Sequence, residues 1–174
     1  MKISDVNALS AEAFVAQFGG LYEHSPWVAE GALKARPFAD VDAMLSAFAQ
    51  AVRSAGVEAQ LALVRAHPEL GHRAGIDADL TEHSASEQAS AGLDRLTPAE
   101  YERFRALNDA YRARFSMPFV ICVRTVAVPG KAAKTVIMDE MERRLVGTPE
   151  KELTEALTQI DAIAALRLKD LVAS

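Results

Sequence analysis

Cysteine is almost absent from this sequence of 174 residues, since Cys122 is the only one. A single cysteine excludes an intrachain disulfide framework and any zinc site built from several cysteines. Aromatic residues are also scarce, at 6% of the chain, whereas alanine, leucine, glutamate and arginine are plentiful. This balance favours helix over sheet, and it predicts a mainly helical protein.

Blocks of basic residues and long apolar runs are missing as well. The net charge is −5 and the isoelectric point is about 5.4, so the chain lacks the electrostatic footprint of a nucleic-acid-binding protein. No segment has the length of uncharged apolar sequence that crosses a bilayer, and no apolar stretch follows Met1 as it would in a signal peptide. We therefore expect a cytoplasmic protein that binds neither nucleic acid nor membrane.

Helix-capping residues and apolar residues at helical spacing divide most of the chain into helices. Ser10 can cap a short helix that ends at Gly19-Gly20, and Ser25-Pro26 begins the next. Thr97-Pro98-Ala99-Glu100 has the pattern of a capping box, and Thr148-Pro149 begins a last helix that runs to about Leu171.

The sequence contains no repeat, low-complexity tract or interdomain linker. Its length suits one domain with a continuous core, so we expect a single all-α domain over residues 1–174. The apolar run Pro118–Val123 is too short for periodicity to distinguish a buried strand from an extended segment.

The helical pattern fails between His67 and His83, where proline, glycine and acidic residues predict a loop. Three histidines and one glutamate, His67, His72, His83 and Glu87, occur in and just after this region. On a helix, His67 and His72 would point about 140° apart, and neither HExxH nor a Cys/His pattern is present. The motifs therefore give little support to a metal site.

His67 followed by Pro68 has two interpretations. Proline restrains the residue before it to non-helical geometry, so a histidine on this stiff turn could keep the fixed orientation that a proton donor needs. The alternative is a partly buried turn residue with no chemical role.

Ser84 and Glu87 also have two interpretations. Their spacing matches a capping box, in which they would only begin a helix. Alternatively, Ser84, Glu87 and Gln88 lie at a positively polarised helix start that can hold an anionic ligand, with Glu87 orienting His67.

Arg167 is the unexpected residue of the last helix, because it lies in an apolar stripe. Leu153, Leu157, Ile160, Ala164 and Leu171 form the rest of that stripe, which faces a core or a partner. A desolvated guanidinium needs a negative partner, which could be a structural acid, an acid of the site or an anionic substrate.

Several segments in a fixed order and spacing carry a resemblance to a known family. They are Tyr22-Glu23-His24-Ser25-Pro26-Trp27, Arg36-Pro37-Phe38, His67-Pro68-Glu69-Leu70, Ser84-Ala85-Ser86-Glu87-Gln88, Leu107-Asn108-Asp109-Ala110-Tyr111, Pro118-Phe119-Val120-Ile121-Cys122-Val123-Arg124 and Leu166-Arg167-Leu168. The chain resembles the 2-oxo-4-hydroxy-4-carboxy-5-ureidoimidazoline (OHCU) decarboxylases over nearly its whole length. It departs from them at Ser116-Met117, where a glycine-phenylalanine-like pair is common, and at Gly147, where asparagine is frequent.

The resemblance implies an all-helical, homodimeric enzyme of urate degradation that converts OHCU into (S)-allantoin and carbon dioxide without a metal or other cofactor. It implies that His67 is the catalytic proton donor and that Glu87 lies beside it. The substrate-binding positions that it implies are Pro68, Ser84, Ala85, Ser86, Glu87, Gln88, Phe119, Val120, Ile121, Cys122, Val123 and Arg167.

Two other functions stay open at this point. A non-catalytic helical interaction module would leave His67, Ser84, Glu87 and Arg167 far apart in the fold. A metal-dependent hydrolase would use His67, His72 or His83 together with Glu87.

Overall fold

The computed structural model describes residues 1–71 and 80–173, and all regular structure in those ranges is helical. Nine α-helices lie in the described ranges, at Ile3–Ala8 (α1), Ala11–Phe18 (α2), Trp27–Leu33 (α3), Val41–Ser54 (α4), Val57–Arg65 (α5), Glu82–Ser90 (α6), Pro98–Phe115 (α7), Ala133–Arg144 (α8) and Pro149–Leu171 (α9). A 3₁₀ helix covers Val123–Thr125. The expected all-α fold is confirmed, and the run before Val123 is an irregular segment rather than a strand.

Local capping rules account for many of the helix ends. Ser10 accepts a hydrogen bond from the backbone N–H of Ala13 at 3.1 Å, and Thr97 and Glu100 form the predicted capping box. The helix expected to start at Pro26 starts instead at Trp27. The hydroxyl of Ser25 donates to the carbonyl of Glu23 at 3.0 Å, so Ser25 belongs to the preceding turn and does not cap the helix.

The described residues fall into two compact units. The first contains residues Met1–Ala66 and the chain from Ile160 onward, and the second contains His67–Gln159. The expectation of a single domain over 1–174 stays a prediction. In the described part of the chain, no helix is long and apolar enough to cross a membrane.

Aromatic rings form the centre of the first unit. Phe14 packs against Phe18 and Phe48, and the ring of Tyr22 stacks on Phe48 with centroids 6.0 Å apart. α3 and α4 approach closely, because a Cβ at Gly31 would lie only 2.8 Å from that of Ala51. Glycine is therefore required on α3 for this packing.

The core of the second unit is formed by α7, α8 and the irregular segment before the 3₁₀ helix. Tyr111 is fully buried and meets Phe119 edge to face, with ring centroids 5.4 Å apart. α7 ends at Phe115, and its C-cap residue Ser116 has a φ of 56°, in the left-handed region that glycine favours. Ser116 stands where the family commonly has glycine. Serine adopts the left-handed conformation at this helix end, as glycine also can.

Candidate active site

His67 lies just beyond α5, where the sequence predicts that the helix breaks. The helix ends at Arg65, and His67 is 7% exposed, with its Nε2 atom buried. Pro68 is partly buried, and the chain continues as an irregular segment to Gly71. A histidine in this setting has little freedom to reorient, which is the property that the acid/base interpretation requires.

Side chains from two helices fix the segment that follows His67. The side-chain carbonyl of Gln88 accepts from the backbone N–H of Gly71, and its amide group donates to the carbonyl of Glu69, both at 3.2 Å. From α7, the amide group of Asn108 donates to the carbonyl of Leu70 at 2.9 Å. Three consecutive backbone positions are thus held by buried amide side chains.

Gly71 ends this segment in a conformation that suits glycine. Its φ is +78°, and a Cβ here would lie 3.0 Å from the ring of Phe104. Both the backbone angle and the contact with α7 therefore disfavour a larger residue.

α6 begins earlier than the Ser84–Glu87 pattern indicates. Thr81 is the N-cap, and its hydroxyl accepts from the backbone N–H of Ser84 at 3.3 Å. The expected capping box between Ser84 and Glu87 is therefore wrong. Ser84 lies in the first turn of the helix with its side chain buried, whereas Glu87 and Gln88 lie one turn further along.

The remaining predicted positions on α6 differ in burial. Ser84 and Gln88 are buried, Glu87 is partly buried, and the side chains of Ala85 and Ser86 are exposed. α6 packs against the 3₁₀ helix at Val123–Thr125. α6 therefore adjoins the end of the apolar segment Pro118–Val123.

The segment Phe119–Val123 is held from the protein interior. Its first four side chains are buried, and Val123 is partly buried. The carbonyl of Val120 accepts from Nη1 of Arg144 at 2.8 Å, and the backbone N–H of Cys122 donates to the side chain of Gln159 at 2.9 Å. Cys122 is a buried free thiol and behaves here as a small apolar residue.

Arg144 belongs to a buried ionic cluster that the sequence did not reveal. Its Nε donates to Oε2 of Glu152 at 2.9 Å, and the hydroxyl of Tyr111 donates to the same oxygen at 2.6 Å. Burial raises the pKa of Tyr111 far above its usual value, and the bond to Glu152 raises it further. The available signal was an arginine at the end of one helix and a glutamate at the start of the next.

Arg167 has a buried acidic partner in the first unit, as its apolar surroundings require. Its Nη1 lies 2.8 Å from Oε2 of Glu23, and the two side chains are 4% and 1% exposed. Glu23 is part of the motif that carries the family resemblance, but nothing in the local sequence pairs it with Arg167.

The residues considered for a metal site do not form one in the described part of the chain. Among residues 1–71 and 80–173, no group of three His, Cys, Asp or Glu side chains is arranged so that it could hold a metal ion. His83 is exposed on α6, and His72 lies outside the described residues.

The second unit thus brings together three of the predicted pieces around one helix. Through Gln88, α6 bonds to the segment that follows His67-Pro68, and it also packs on the end of Phe119–Val123. The segment that begins with a buried histidine and the end of an irregular backbone segment therefore both contact α6, whose own first turn carries the buried Ser84. These are groups that can deliver a proton and bind an anion.

Comparisons with known proteins identify the family. The profile of the family described as OHCU decarboxylase matches residues 7–169. A protein of Halalkalicoccus jeotgali named 2-oxo-4-hydroxy-4-carboxy-5-ureidoimidazoline decarboxylase is 42% identical over 98% of this chain and 92% of its own length. The protein of the same name from Haloferax volcanii is 44% identical over 98% of this chain and 95% of its own length.

A solved structure is also similar. The crystal structure of an (S)-allantoin synthase superposes with a TM-score of 0.75 at 28% identity. The match covers 99% of this chain and 54% of that one, so this chain corresponds to about half of that protein.

Proposed function

The chain belongs to the OHCU decarboxylase family, and we propose that it carries out that family's reaction with His67 as the proton donor. It is a carboxy-lyase of urate degradation that converts OHCU into (S)-allantoin and carbon dioxide. The observation that carries the site assignment is the position of α6, which bonds to the backbone after His67 and packs on the end of the Phe119–Val123 segment.

The proposed decarboxylation uses a proton donor and polar groups that stabilise the developing anion, and no step of it uses a cofactor. The bond between the ring carbon and the carboxylate breaks, and its electron pair delocalises into the neighbouring ring carbonyl or imine. When the imine nitrogen takes up the electron pair with a proton from solvent, a double bond joins the decarboxylated, hydroxyl-bearing carbon to the neighbouring ureido-bearing carbon. The ureido-bearing carbon then takes a proton from His67, while the hydroxyl loses its proton to solvent and becomes the ring carbonyl of allantoin. His67 regains a proton from solvent. Because the electrons remain in the substrate, the proposed route needs no oxidant, metal or pyridoxal.

The fixed position of His67 explains how one enantiomer is formed. Its imidazole is buried, and the backbone beyond it is anchored at Glu69, Leu70 and Gly71. A donor that can reach only one face of the planar intermediate produces a single configuration. Glu87, partly buried on α6, is proposed to orient the imidazole.

Substrate binding is assigned to backbone and side-chain groups around this donor. The hydroxyl of Ser84 and the positively polarised start of α6 are proposed to favour an anion. Pro68, Ala85, Ser86 and the Phe119–Val123 segment are further contacts that the family resemblance supports. Gln88 is given a second task, because its side chain also anchors the segment after His67.

The family resemblance is the basis for proposing that Arg167 contributes to substrate binding and that the protein is a homodimer. The bond to Glu23 gives the guanidinium of Arg167 a fixed orientation, which suits recognition of a carboxylate or a carbonyl. The alternative of a non-catalytic helical module requires the predicted site residues to be scattered. α6 carries Ser84–Gln88 and contacts both the segment after His67 and the end of Phe119–Val123, and these contacts favour the enzyme.

The proposed function is tested by following OHCU spectroscopically and the optical activity of the allantoin formed. The wild-type protein should speed OHCU loss beyond its spontaneous decay and give one enantiomer. His67→Asn should lower kcat about 10²- to 10⁴-fold, the range for removal of a general acid, without changing the helical circular dichroism.

His83→Asn is the matched control, because His83 is exposed on α6 and has no assigned role. It should retain wild-type activity, whereas a metal-dependent enzyme that uses His83 would lose activity. A wild-type protein that leaves the spontaneous rate unchanged contradicts the function, and a fully active His67→Asn contradicts only the role of His67.

A further inference from the structure

The buried ionic cluster of the second unit is not explained by stability. Arg144 and Glu152 are 3% and 5% exposed, and the Tyr111 hydroxyl donates to the carboxylate that binds the guanidinium. A buried ion pair is often no more stabilising than well-packed apolar residues of the same volume, because both ions lose their hydration. The arrangement of the Arg144, Glu152 and Tyr111 side chains therefore calls for an explanation other than stability.

The guanidinium of Arg144 combines several contacts of different kinds. Nε binds the carboxylate of Glu152, and Nη1 donates to the carbonyl of Val120 at 2.8 Å. Its central carbon lies 4.4 Å from the ring centroid of Phe119. Only a planar group with several fixed donors can combine these contacts, so a lysine would not replace it.

Gln159 provides a second anchor two residues further along the segment. Its side-chain carbonyl accepts from the N–H of Cys122 at 2.9 Å, and its amide group is held by Glu155 at 2.8 Å. Cys122 has an extended backbone, with φ −75° and ψ 93°. The segment is thus fixed from the interior at two alternate positions.

The anchors at the carbonyl of Val120 and the N–H of Cys122 determine the direction of the N–H of Ile121, which lies between them. In an extended chain, the N–H and C=O of one residue point to the same side, and those of its neighbours point to the other. Since Val120 and Cys122 both turn their peptide groups toward the interior anchors, the N–H of Ile121 is directed away from them.

We propose that Arg144, held by Glu152 and Tyr111, is a positioning residue for the decarboxylation. By fixing the carbonyl of Val120 it presents the N–H of Ile121 to an anionic oxygen of the substrate. The inference rests on the proposed function, since it concerns the segment that binds OHCU there. It assigns no chemistry to Arg144 itself, which acts through the backbone.

The test compares Arg144→Lys and Tyr111→Phe with two controls. Arg143→Lys makes the same change at the next residue of α8, where the arginine pairs with Glu140 at the surface. Ile137→Val removes one methylene from the buried side of α8. It serves as a control that lowers the stability of the protein but leaves the Arg144 cluster unchanged. KM and kcat for OHCU are measured for each folded protein, together with its Tm.

Arg144→Lys should raise KM about tenfold, the loss expected when a charge-assisted hydrogen bond no longer orders the binding segment. Tyr111→Phe should raise KM by a smaller factor, and both controls should stay within about twofold of the wild type. Amide hydrogen exchange at Ile121 should be faster in Arg144→Lys, while exchange in the middle of α7 stays unchanged.

A purely structural role would give a different result. It would lower Tm and the active fraction, and so the apparent kcat, but leave KM at the value of Ile137→Val. That outcome, or unchanged amide exchange at Ile121, overturns the inference. If Arg144→Lys does not fold, the KM of Tyr111→Phe decides the question in the same way. The wild-type protein is assayed before the variants. If it does not speed OHCU loss, the proposed function is overturned, and this result is distinct from a failure of the inference about Arg144.

Discussion

Single buried polar side chains in the second unit act mainly on the backbone. Gln88, Asn108 and Arg144 each bond to peptide groups of segments that have no regular secondary structure. Such segments leave their N–H and C=O groups without helical partners, so side chains must satisfy them. The same bonds keep these segments in one conformation, which a binding site requires.

Gln88 offers a test of this arrangement at the scale of one residue. Gln88→Glu keeps the shape and the acceptor for Gly71, but the carboxylate cannot donate to the carbonyl of Glu69. Leaving that carbonyl facing a carboxylate should lower stability by about 1–3 kcal/mol and kcat/KM by about tenfold. Urea denaturation and the OHCU assay measure the two effects.

Gln50→Glu is the control for this substitution. Gln50 lies on the exposed side of α4 in the first unit, and its amide group donates to the hydroxyl of Ser54 in the same helix at 3.0 Å. This variant should match the wild type in both assays. A Gln88→Glu protein with unchanged kcat/KM would show that the backbone after His67 does not depend on this clamp.

At the scale of elements, α6 is the part on which the site depends most. It is a short helix of 9 residues whose sequence has little apolar periodicity, so its start depends on the cap at Thr81. α7 also begins with a threonine cap, but it is 18 residues long and contributes Phe104, Leu107 and Tyr111 to the core.

The two caps provide a matched pair of variants. Thr81→Ala and Thr97→Ala each remove one side-chain acceptor at a helix start, and each should lower stability by about 1 kcal/mol. Only Thr81→Ala should also raise KM for OHCU, because only α6 carries proposed substrate contacts in its first turn. Equal KM values for the two variants would argue against a site at the start of α6.

At the scale of the whole chain, each of the two units buries one tyrosine beside a carboxylate. Tyr22 donates to Asp161 at 2.7 Å in the first unit, and Tyr111 donates to Glu152 in the second. Burial is the main reason that the pKa of each rises well above the usual value of 10.0, and the neighbouring carboxylate raises it further.

These two tyrosines predict a loss of stability in alkali. Below pH 10 both remain protonated in the folded and unfolded states, and their contribution is fully present. Above pH 10 the unfolded chain loses the protons that the folded chain retains. The free energy of unfolding should therefore fall by about 1.4 kcal/mol per pH unit for each tyrosine.

Urea denaturation between pH 9 and pH 11.5, roughly the window that this linkage defines, measures that slope. Tyr22→Phe should make it shallower by the share of one tyrosine. A Tyr22→Phe protein with the wild-type slope would contradict the linkage. Comparison of slopes avoids the effect of the lost bond to Asp161, which lowers stability at every pH.

Many of the helix ends and the family could be predicted from the sequence. Caps and helix ends depend on residues three or four positions apart, so Ser10, Thr97 and the start of the last helix could be read directly. The sequence also determined that an arginine in an apolar stripe needs an acidic partner, and that the chain cannot remain helical at His67-Pro68.

Tertiary structure decided which of several locally acceptable arrangements is formed. Thr81 and Ser84 are both suitable caps, and α6 starts at the earlier one, with Ser84 buried and Gln88 bonded to Glu69 and Gly71. Among 24 acidic residues, only the fold selects Glu23, 144 positions away, as the partner of Arg167. The Arg144 cluster was hidden for the same reason, since its contact with Val120 spans 24 positions and leaves no periodic trace in the sequence.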